Sequence, residues 1–470
     1  MTSRISRLPI AAALTVTLGC SSLTDVDSPD VVQPEQLNNA AGAEALTTGA
    51  LASIMSPFMT FAYNTSVFSD EMKLATAFNS FADIDFRTQS LTFNEYGPTL
   101  MHRVRTQTQQ AIDSRKEFAP TPRARIGQLF ATKGLAELFL GETSCNGTPL
   151  TDIEGTDPIF SGPLTSDSIL KVAITNFDSA VVYAADSARV LNLAKVGRGR
   201  ALLDRGQYAQ AGAAVAGVPT NYVYNAEATL AVANQINLIW NGNNLKTATV
   251  AEREGGNGLN FVTAADPRVP TIANGVGGDG VTNVFIFGKY SGQASSIPMV
   301  TGVEARLIEA EAALQANRND TSPTGNGWLG ILNNLRATAI TPAMAPLADP
   351  GSFDARVNLL FRERAFWLYG TGHRMGDLRR LLRQYGRAEA QTWPKGPYKG
   401  GVSYGDEVVF ILTLSEQANP TVRTCTDKNP SSGVWDDTIG AGPVRSRPYL
   451  RTASWMTIGV TRFWPFAASL

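Results

Sequence analysis

The fold of this chain is decided by residues 360–380, which read LFRERAFWLYGTGHRMGDLRR. Charged residues in the first half share a helical period with Phe366, Trp367 and Tyr369, and the two following glycines end that helix. In the second half, Asp377 has Arg374 and Arg380 three residues away on either side, at the spacing of helical ion pairs. The stretch therefore predicts a helical hairpin whose charges maintain the fold or dock a partner rather than contact a ligand, with Trp367 in the core.

Three further helical pairs precede this hairpin, which itself covers residues 353–386. In each of them apolar residues recur at intervals of three or four, as expected for the buried face of a helix. These pairs cover residues 98–142, 165–217 and 301–339. Tyr208 and Ala211 follow the turn at Arg205-Gly206 in the local pattern of a tetratricopeptide repeat, whose unit is a helical hairpin of about 34 residues. The sequence therefore predicts a mainly α fold built from tetratricopeptide-like helical pairs.

Two segments do not follow the helical pairs. Residues 219–300 are rich in Gly, Asn and Thr and contain a β-like run at 281–287, which predicts a loop-rich insertion lobe with short strands. Residues 56–97 come after a helix-like segment at 34–55, carry many aromatic side chains and lack helical periodicity. We expect this second segment to be an aromatic-rich loop region.

Overall composition excludes one class of partner. The chain is 43% hydrophobic and 17% charged, as in an ordinary folded protein. Its 40 Lys and Arg residues are balanced by 41 Asp and Glu residues, for a net charge of −1. Binding to nucleic acid needs a basic surplus that neutralises phosphates, so we expect no nucleic-acid partner.

The amino terminus has the pattern of an export signal. Arginines precede a short apolar stretch at residues 8–18, which ends in Gly19-Cys20 and resembles a bacterial lipoprotein cleavage box. The apolar stretch is shorter than the roughly 20 residues that a membrane-spanning helix needs. We expect residues 1–19 to be removed, Cys20 to carry a lipid anchor to the membrane, and residues 20–33 to form a tether. The alternative is an ordinary secretory signal followed by a coincidental cysteine.

A secreted glycan hydrolase is the main alternative class, and it would need a matched pair of carboxylates. Acidic neighbours that could supply one are Asp70/Glu71, Asp83/Asp85, Glu252/Glu254 and Asp406/Glu407. None has a distinctive sequence setting, and His102 and His373 belong to no metal-ligand or triad pattern. We therefore expect no catalytic residue, no metal and no cofactor. A periplasmic repeat scaffold that binds other proteins is a third alternative, which the large insertion disfavours.

Residues 360–380 closely resemble the carboxy-terminal hallmark of the SusD/RagB outer-membrane proteins, namely an Arg-Glu-Arg helix, Gly-His-Arg and Asp-Leu-Arg-Arg. Further stretches similar to this family are Asp70-Glu71, Asp85-Phe86-Arg87, residues 145–150, 266–270 and 304–307, and Ser415-Glu416 to Asn419-Pro420. The resemblance implies a SusD-like domain over residues 34–425, anchored by lipid in the outer membrane and exposed on the cell surface. Such proteins capture oligosaccharides, or in some members peptides, and pass them without bond breaking to a TonB-dependent, SusC-like channel.

The resemblance also implies a ligand region away from the helical pairs, between segments 56–97 and 219–300. Aromatic rings would stack on sugars there, and Asn, Asp and Arg would bond the hydroxyls. The residues that we expect to do so are Tyr63, Phe68, Arg87, Trp240, Asn241 and Tyr290. Local packing is the alternative for each of them, and Arg87 could equally hold Asp83 or Asp85 in a loop clamp.

The remaining cysteines and the carboxyl terminus leave alternatives open. Cys145 and Cys425 form one disulfide or stay as two free buried thiols in a compartment that permits bridges. Residues 426–470 contain three of the seven Trp residues, and no helical or strand period persists through them. We expect a poorly ordered tail, which is either an extension that docks on the channel or the product of a late shift in reading frame.

Overall fold

The structure is a computed structural model that describes residues 34–76, 82–89, 98–154, 157–232, 234–412, 419–420 and 425. The predicted signal, Cys20, the tether and the tail after Cys425 lie outside these residues. The α-helices are α1 (Ala40–Ala52), α2 (Met55–Phe68), α3 (Ala82–Asp85), α4 (Pro98–Phe118), α5 (Arg123–Thr143), α6 (Ser166–Tyr183), α7 (Ala188–Asp204), α8 (Tyr208–Val215), α9 (Leu238–Asn244), α10 (Gly302–Ala316), α11 (Trp328–Thr338), α12 (Phe353–Trp367), α13 (Arg374–Arg383) and α14 (Glu389–Thr392).

The strands are short and pair antiparallel in twos. They are β1 (Met72–Leu74), β2 (Thr148–Pro149), β3 (Asp152–Glu154), β4 (Asp157–Ile159), β5 (Pro163–Leu164), β6 (Val223–Ala226), β7 (Ala248–Val250), β8 (Thr271–Val276), β9 (Asn283–Phe287) and β10 (Ile297–Thr301). Each forms a two-stranded ladder, with the pairings β1–β7, β2–β5, β3–β4, β6–β10 and β8–β9. Ladders this small depend on packing against the helices for their stability.

The four predicted helical pairs are present as α4–α5, α6–α7, α10–α11 and α12–α13, which confirms the mainly α fold. Three of the helices begin at a hydroxyl cap, because Thr165, Thr301 and Ser352 each accept a hydrogen bond from the backbone N–H three residues on. Helix α7 ends at Asp204, and Gly206 makes the turn to α8 with a φ of 69°. For the second pair the sequence predicted helices at 165–187 and 193–217, but α6 ends at Tyr183 and α7 already begins at Ala188.

The expectation of an irregular segment at 56–97 was wrong for its first part, which forms α2. Half of its residues are aromatic or β-branched and have low helix propensity, and Pro57 lies in its first turn, so the sequence alone does not favour a helix. With α1 it makes a stretch, Ala40–Phe68, that is long and apolar enough to cross a membrane by length and composition. In this fold Phe58, Phe61 and Phe68 of α2 are core residues, and Phe61 stacks on Phe139 of α5 with ring centroids 4.6 Å apart.

Residues 219–300 contain short strands, as predicted, and share the core of the helical pairs. Tyr224, Ile239 and Phe287 belong to the same cluster of buried apolar side chains as the residues of α2 and α5. Strand β7 of this segment also pairs with β1, which follows α2 directly. The segment therefore covers one side of α2 rather than folding by itself.

Most charged residues of the hairpin 360–380 are buried, and three of them, Arg364, Asp377 and Arg380, bond to one another. Arg364 donates two hydrogen bonds to Asp377, both of 2.9 Å, and Arg380 donates a third, of 2.8 Å. Arg380 also donates two hydrogen bonds, of 2.6 and 3.0 Å, to Glu311 of α10. Burial raises the pKa of Asp377, but the two arginines outweigh it and hold that pKa below its usual range. These contacts tie α10, α12 and α13 together.

The same hairpin is tied to distant parts of the chain. Arg374 does not pair with Asp377 as the spacing predicted, but donates bonds of 2.6 and 2.8 Å to Asp70 behind α2. Glu363 accepts bonds of 2.6 and 3.0 Å from Arg268 and one of 2.9 Å from Arg336. A buried carboxylate that loses such partners destabilises a fold strongly. The hallmark charges therefore maintain the fold.

Candidate functional site

An open cleft of about 440 Å³ lies beside the β1–β7 ladder. Its described lining residues all come from outside the four helical pairs. They are Lys73, Thr249, Val250, Ala251, Glu252, Glu254, Val281, Thr282, Asn283, Phe285 and Lys399. Because Lys73 follows α2 and residues 249–285 belong to the insertion, the cleft lies at the boundary where the sequence placed a ligand region. Ligand binding there stays a prediction.

The floor and one wall of the cleft are set by strand geometry. In β1, Met72 and Leu74 are buried, and the intervening Lys73 points to the opposite face, as side chains alternate along a strand. The Thr249 hydroxyl on β7 accepts a 2.8 Å hydrogen bond from the backbone N–H of Phe285 on β9. This bond holds the β8–β9 ladder against β7 and leaves Phe285 lining the cleft.

A short hairpin at residues 396–404 carries Lys399 to the cleft. It is closed by backbone bonds of 2.7 Å from Tyr398 N to Val402 O and of 2.9 Å from Tyr404 N to Gly396 O. Two glycines with positive φ, Gly400 and Gly401, form its tip. We call this segment the Lys399 hairpin. The hydrogen bonds within the hairpin therefore fix its backbone without help from the rest of the protein.

The side chains of the Lys399 hairpin attach it to the carboxylates beneath the cleft. The Tyr398 hydroxyl donates to Asp85, and the Tyr404 hydroxyl donates to Glu254. The Lys399 ammonium group donates to Asp279 at 2.7 Å and to the backbone oxygen of Leu74 at 2.5 Å. The hairpin is thus held on the β1 side of the cleft by polar contacts.

Ionisable groups beneath the cleft are closely coupled. Glu254 accepts a 2.7 Å bond from Lys73, whose ammonium group lies 4.8 Å from the centre of the Tyr398 ring. Burial, reinforced by the Glu254 carboxylate, raises the pKa of Asp85 to about 7, although bonds from Tyr398 and the Leu74 backbone oppose the shift. Burial also raises the pKa of Tyr63, with Asp85 adding to the effect. Asp85 therefore takes up a proton more readily than a solvent-exposed carboxylate does.

Three of the six predicted ligand residues are interior residues, which corrects their assignment as ligand contacts. Phe68 is fully buried, with its ring edge against Trp393 at 5.6 Å and Phe410 at 5.1 Å. Tyr290 is 6% exposed and packs edge-on to Phe287 at 5.2 Å. A side chain enclosed by core neighbours cannot reach a ligand, so local packing is the role of both.

Arg87 is the third interior residue, and it clamps a different segment from the one predicted. Its guanidinium group donates to Glu389 at 2.5 Å and to the backbone oxygens of Pro394 at 2.7 Å, Gly405 at 2.6 Å and Glu407 at 3.0 Å. Burial lowers the pKa of Arg87, and Glu389 opposes the shift. The residue thus holds both ends of the Lys399 hairpin rather than Asp83 or Asp85.

The other three predicted residues are half-buried and lie on or against α9. Tyr63 contacts the helix at Gly242, where an added Cβ would be 3.1 Å from its ring, so glycine allows this approach. The Asn241 side chain accepts a 2.8 Å hydrogen bond from Gln293. Trp240 packs partly against the core. None of the three is among the described residues that line the cleft.

The acidic pair Asp70/Glu71, considered for hydrolysis, is held by other groups. Asp70 is bound by Arg374, and Glu71 accepts bonds of 2.6 Å from Ser66 and 3.2 Å from the Gly370 backbone. Burial raises the pKa of Glu71 to about 8, against the effect of Ser66 and Arg374. In the part of the chain that the structure describes, no group of three or more His, Cys, Asp and Glu side chains is placed to hold a metal ion.

Cys145 and Cys425 are joined by a disulfide across 280 residues of sequence. Cys145 directly follows Ser144, which ends α5, and its backbone N–H donates a 3.2 Å bond to Phe410. The bridge thus ties Cys425 to the carboxyl-terminal end of the buried helix α5.

Several solved structures share this architecture. A SusD homologue from Bacteroides thetaiotaomicron matches with a TM-score of 0.61 over 84% of this chain and 99% of its own, at 12% sequence identity. A SusD-like carbohydrate-binding protein from Bacteroides vulgatus matches with a TM-score of 0.58 over 82% and 97%, at 13% identity. NanU from B. fragilis matches with a TM-score of 0.57 over 83% and 97%, at 12% identity. This chain has the SusD fold.

The SusD likeness confirms the predicted resemblance at the level of fold. No family model matches the sequence, and no curated protein matches it either. At 12–13% identity, the shared architecture does not carry over the ligand of any SusD-like neighbour. The function of this SusD-like chain therefore has to be argued from its own cleft.

Most of the residues that line the cleft were not predicted from the sequence as ligand contacts. Lys73, Asn283, Phe285 and Lys399 meet there from three segments far apart in the chain. One available signal was the alternation Met-Lys-Leu in β1, and another was the β-like run 281–287, which contains β9. The contribution of Lys399 had no comparable signal, because its place depends on the long-range bonds of the hairpin.

Proposed function

We propose that this SusD-like chain binds oligosaccharides without cleaving them, and that the cleft beside β7 and β9 is its binding site. The observation that carries the proposal is the cleft itself, on a SusD fold and lined by aromatic, hydroxyl, amide and charged groups. Its volume of about 440 Å³ lies within the range of roughly 300–1,000 Å³ for small-molecule sites.

The lining provides the two kinds of contact that sugars need. Phe285 offers an apolar ring for the C–H face of a pyranose. The exposed Asn283 amide offers a donor and an acceptor for its hydroxyl groups, and the Thr282 hydroxyl, which donates to Asp279, can accept a further bond. Trp240 and Asn241 on α9, together with Tyr63, are a proposed second contact for a longer chain.

Two features disfavour hydrolysis as the function. A glycosidase places one carboxylic acid and one carboxylate on either side of the scissile bond. Of the two glutamates that line the cleft, Glu254 is held by Lys73 and Tyr404, and Glu252 accepts bonds from Val262 and Thr263. Both carboxylates therefore already accept hydrogen bonds from protein groups, which disfavours a role for either as the catalytic acid or base.

The cellular role that we propose follows from the sequence together with the fold. A lipid on Cys20 would anchor the protein in the outer membrane, exposed at the cell surface. The helical pairs would face a TonB-dependent, SusC-like channel, and the cleft on the other side would take up the oligosaccharide for delivery. A peptide is the alternative ligand, since peptides also present apolar and hydrogen-bonding groups.

A glycan array probed with the full-length chain tests the proposal, followed by incubation with a bound oligosaccharide and analysis of its chain length. We expect binding to at least one oligosaccharide and no change in its length. Binding only to peptides, or no binding at all, would contradict the oligosaccharide proposal. Hydrolysis that is lost in the variant Glu254→Gln or Glu252→Gln would show that the chain is an enzyme.

A further inference from the structure

Both lysines that line the cleft are paired with carboxylates. Lys73 lies 2.7 Å from a carboxylate oxygen of Glu254, and Lys399 lies 2.7 Å from one of Asp279. Burial raises the pKa of Asp279, but bonds from Lys399 and Thr282 outweigh it and hold the pKa below its usual range. Both carboxylates are nearly enclosed, whereas the lysine side chains remain about one-fifth exposed. Neither cation therefore faces the cleft as an isolated charge.

The remaining charges at the cleft are also matched. Glu252 accepts bonds from the backbone N–H groups of Val262 and Thr263, both at 3.0 Å, and from the Thr263 hydroxyl at 2.6 Å. Arg253, at its outer edge, lies 3.7 Å from Glu252. Behind β1, Asp85 is buried and bonded to the Leu74 backbone and Tyr398, and its pKa is raised to about 7. Positive and negative groups around the cleft thus nearly cancel.

We infer that the cleft selects uncharged saccharides and discriminates against uronic-acid and amino sugars. This inference rests on the proposed function and names the ligand class for the same site. A ligand carboxylate that accepts a bond from Lys73 or Lys399 would lie beside Glu254 or Asp279, and the two negative charges would repel each other. A ligand amine that approaches one of these carboxylates would lie beside Lys73 or Lys399 and be repelled in the same way.

A sugar hydroxyl avoids both conflicts. An ammonium group has three donors, so a hydroxyl can accept a bond from Lys73 or Lys399 while the carboxylate keeps its own. The hydroxyl can also donate to an oxygen of Glu252 or Glu254. Binding of this kind leaves every ion pair intact. The affinity should depend little on salt, because the ligand is uncharged and forms no ion pair with the cleft.

The test measures binding of the full-length chain to matched hexasaccharides by isothermal titration calorimetry. The neutral probes are hexamers of glucose, galactose, mannose and N-acetylglucosamine, and the charged ones are hexamers of glucuronate, galacturonate, mannuronate and glucosamine. We expect a neutral probe to bind at least tenfold more tightly than its charged counterpart, with less than a twofold change between 50 and 500 mM NaCl. A charged probe that binds more tightly, with salt-sensitive affinity, would overturn the inference. Binding to none of the eight would instead contradict the oligosaccharide proposal.

A charge-removing substitution tests the role of the pairs directly. Asp279→Asn keeps the size of the side chain and frees Lys399 from its carboxylate. We expect it to raise affinity for the uronate hexamers at least fivefold and to leave neutral affinity within twofold. Asp186→Asn, an exposed position in the turn between α6 and α7, is the matched control and should change neither. Unchanged uronate affinity in a folded Asp279→Asn variant would contradict the inference.

Discussion

Asp377 is the charge on which the hairpin 360–380 depends most directly, and Asp377→Asn is the perturbation that probes it. The substitution preserves the shape of the side chain but removes the carboxylate to which buried Arg364 donates two hydrogen bonds, while Arg380 keeps Glu311. Removing one partner of a buried ion pair costs about 3–5 kcal/mol. For a folded unit of roughly 370 residues, the unfolding entropy is about 0.8 kcal/mol per kelvin, so we expect the Tm to fall by about 4–6 °C.

Thermal unfolding followed by circular dichroism provides the assay, with Asp178→Asn as the matched control. Asp178 also accepts a bond from an arginine, Arg198 at 2.6 Å, but its side chain is 53% exposed. An exposed pair contributes only about 0.2–1 kcal/mol, so this variant should melt within about 1 °C of the wild type. If both variants melt alike, the buried hallmark charges do not maintain the fold, and the reasoning is wrong.

Three further predictions concern other buried or anchoring groups. The folded-state pKa of Glu71 is raised to about 8, so the stability that its protonated form contributes is complete below its ordinary pKa and is lost as the pH rises to 8. Urea titrations of wild type should show the free energy of unfolding falling with pH across this window, by at most about 1.4 kcal/mol per pH unit from this group. Glu71→Gln should flatten the fall. An unchanged slope in the variant would contradict this. Cys145→Ser should lower the free energy of unfolding by about 2–5 kcal/mol because it removes the bridge to Cys425. Reduced wild type should melt like the variant. A variant as stable as the oxidised protein would show that the bridge is dispensable. Cys20→Ala should move the protein from the membrane to the soluble fraction, and wild type that incorporates no labelled palmitate would refute the anchor.

The fold was accessible from the sequence where apolar residues recur at helical intervals. The pairs α4–α5, α10–α11 and α12–α13 begin and end close to the predicted positions because their apolar residues recur with a helical period. Helix α2 was missed because half of its residues are aromatic or β-branched and Pro57 lies in its first turn. Packing against the core thus imposes a helix where the local helix propensity is weak.

The candidate site was less accessible, because a binding residue and a core residue can have the same chemistry. Phe68 and Tyr290 were reasonable stacking residues by type, yet both fill the interior. Phe285 lines the cleft because its backbone bonds to Thr249 and pairs with Ala273 in the β8–β9 ladder. The position of Lys399 depends on contacts with Leu74 and Asp279, which are 325 and 120 residues away. Such contacts exist only once the chain has folded.

The central claim, oligosaccharide binding at the cleft, is tested most directly by replacing the aromatic ring that lines it. Phe285→Leu keeps an apolar side chain against the core but removes the stacking surface. Phe160→Leu makes the same change at an exposed ring on the β3–β4 side and serves as the control. Calorimetric titration with the tightest neutral hexasaccharide should show binding weakened about tenfold, or about 1.4 kcal/mol, for Phe285→Leu, and unchanged for Phe160→Leu. Wild-type affinity in a folded Phe285→Leu variant would contradict the claim that the cleft is the binding site.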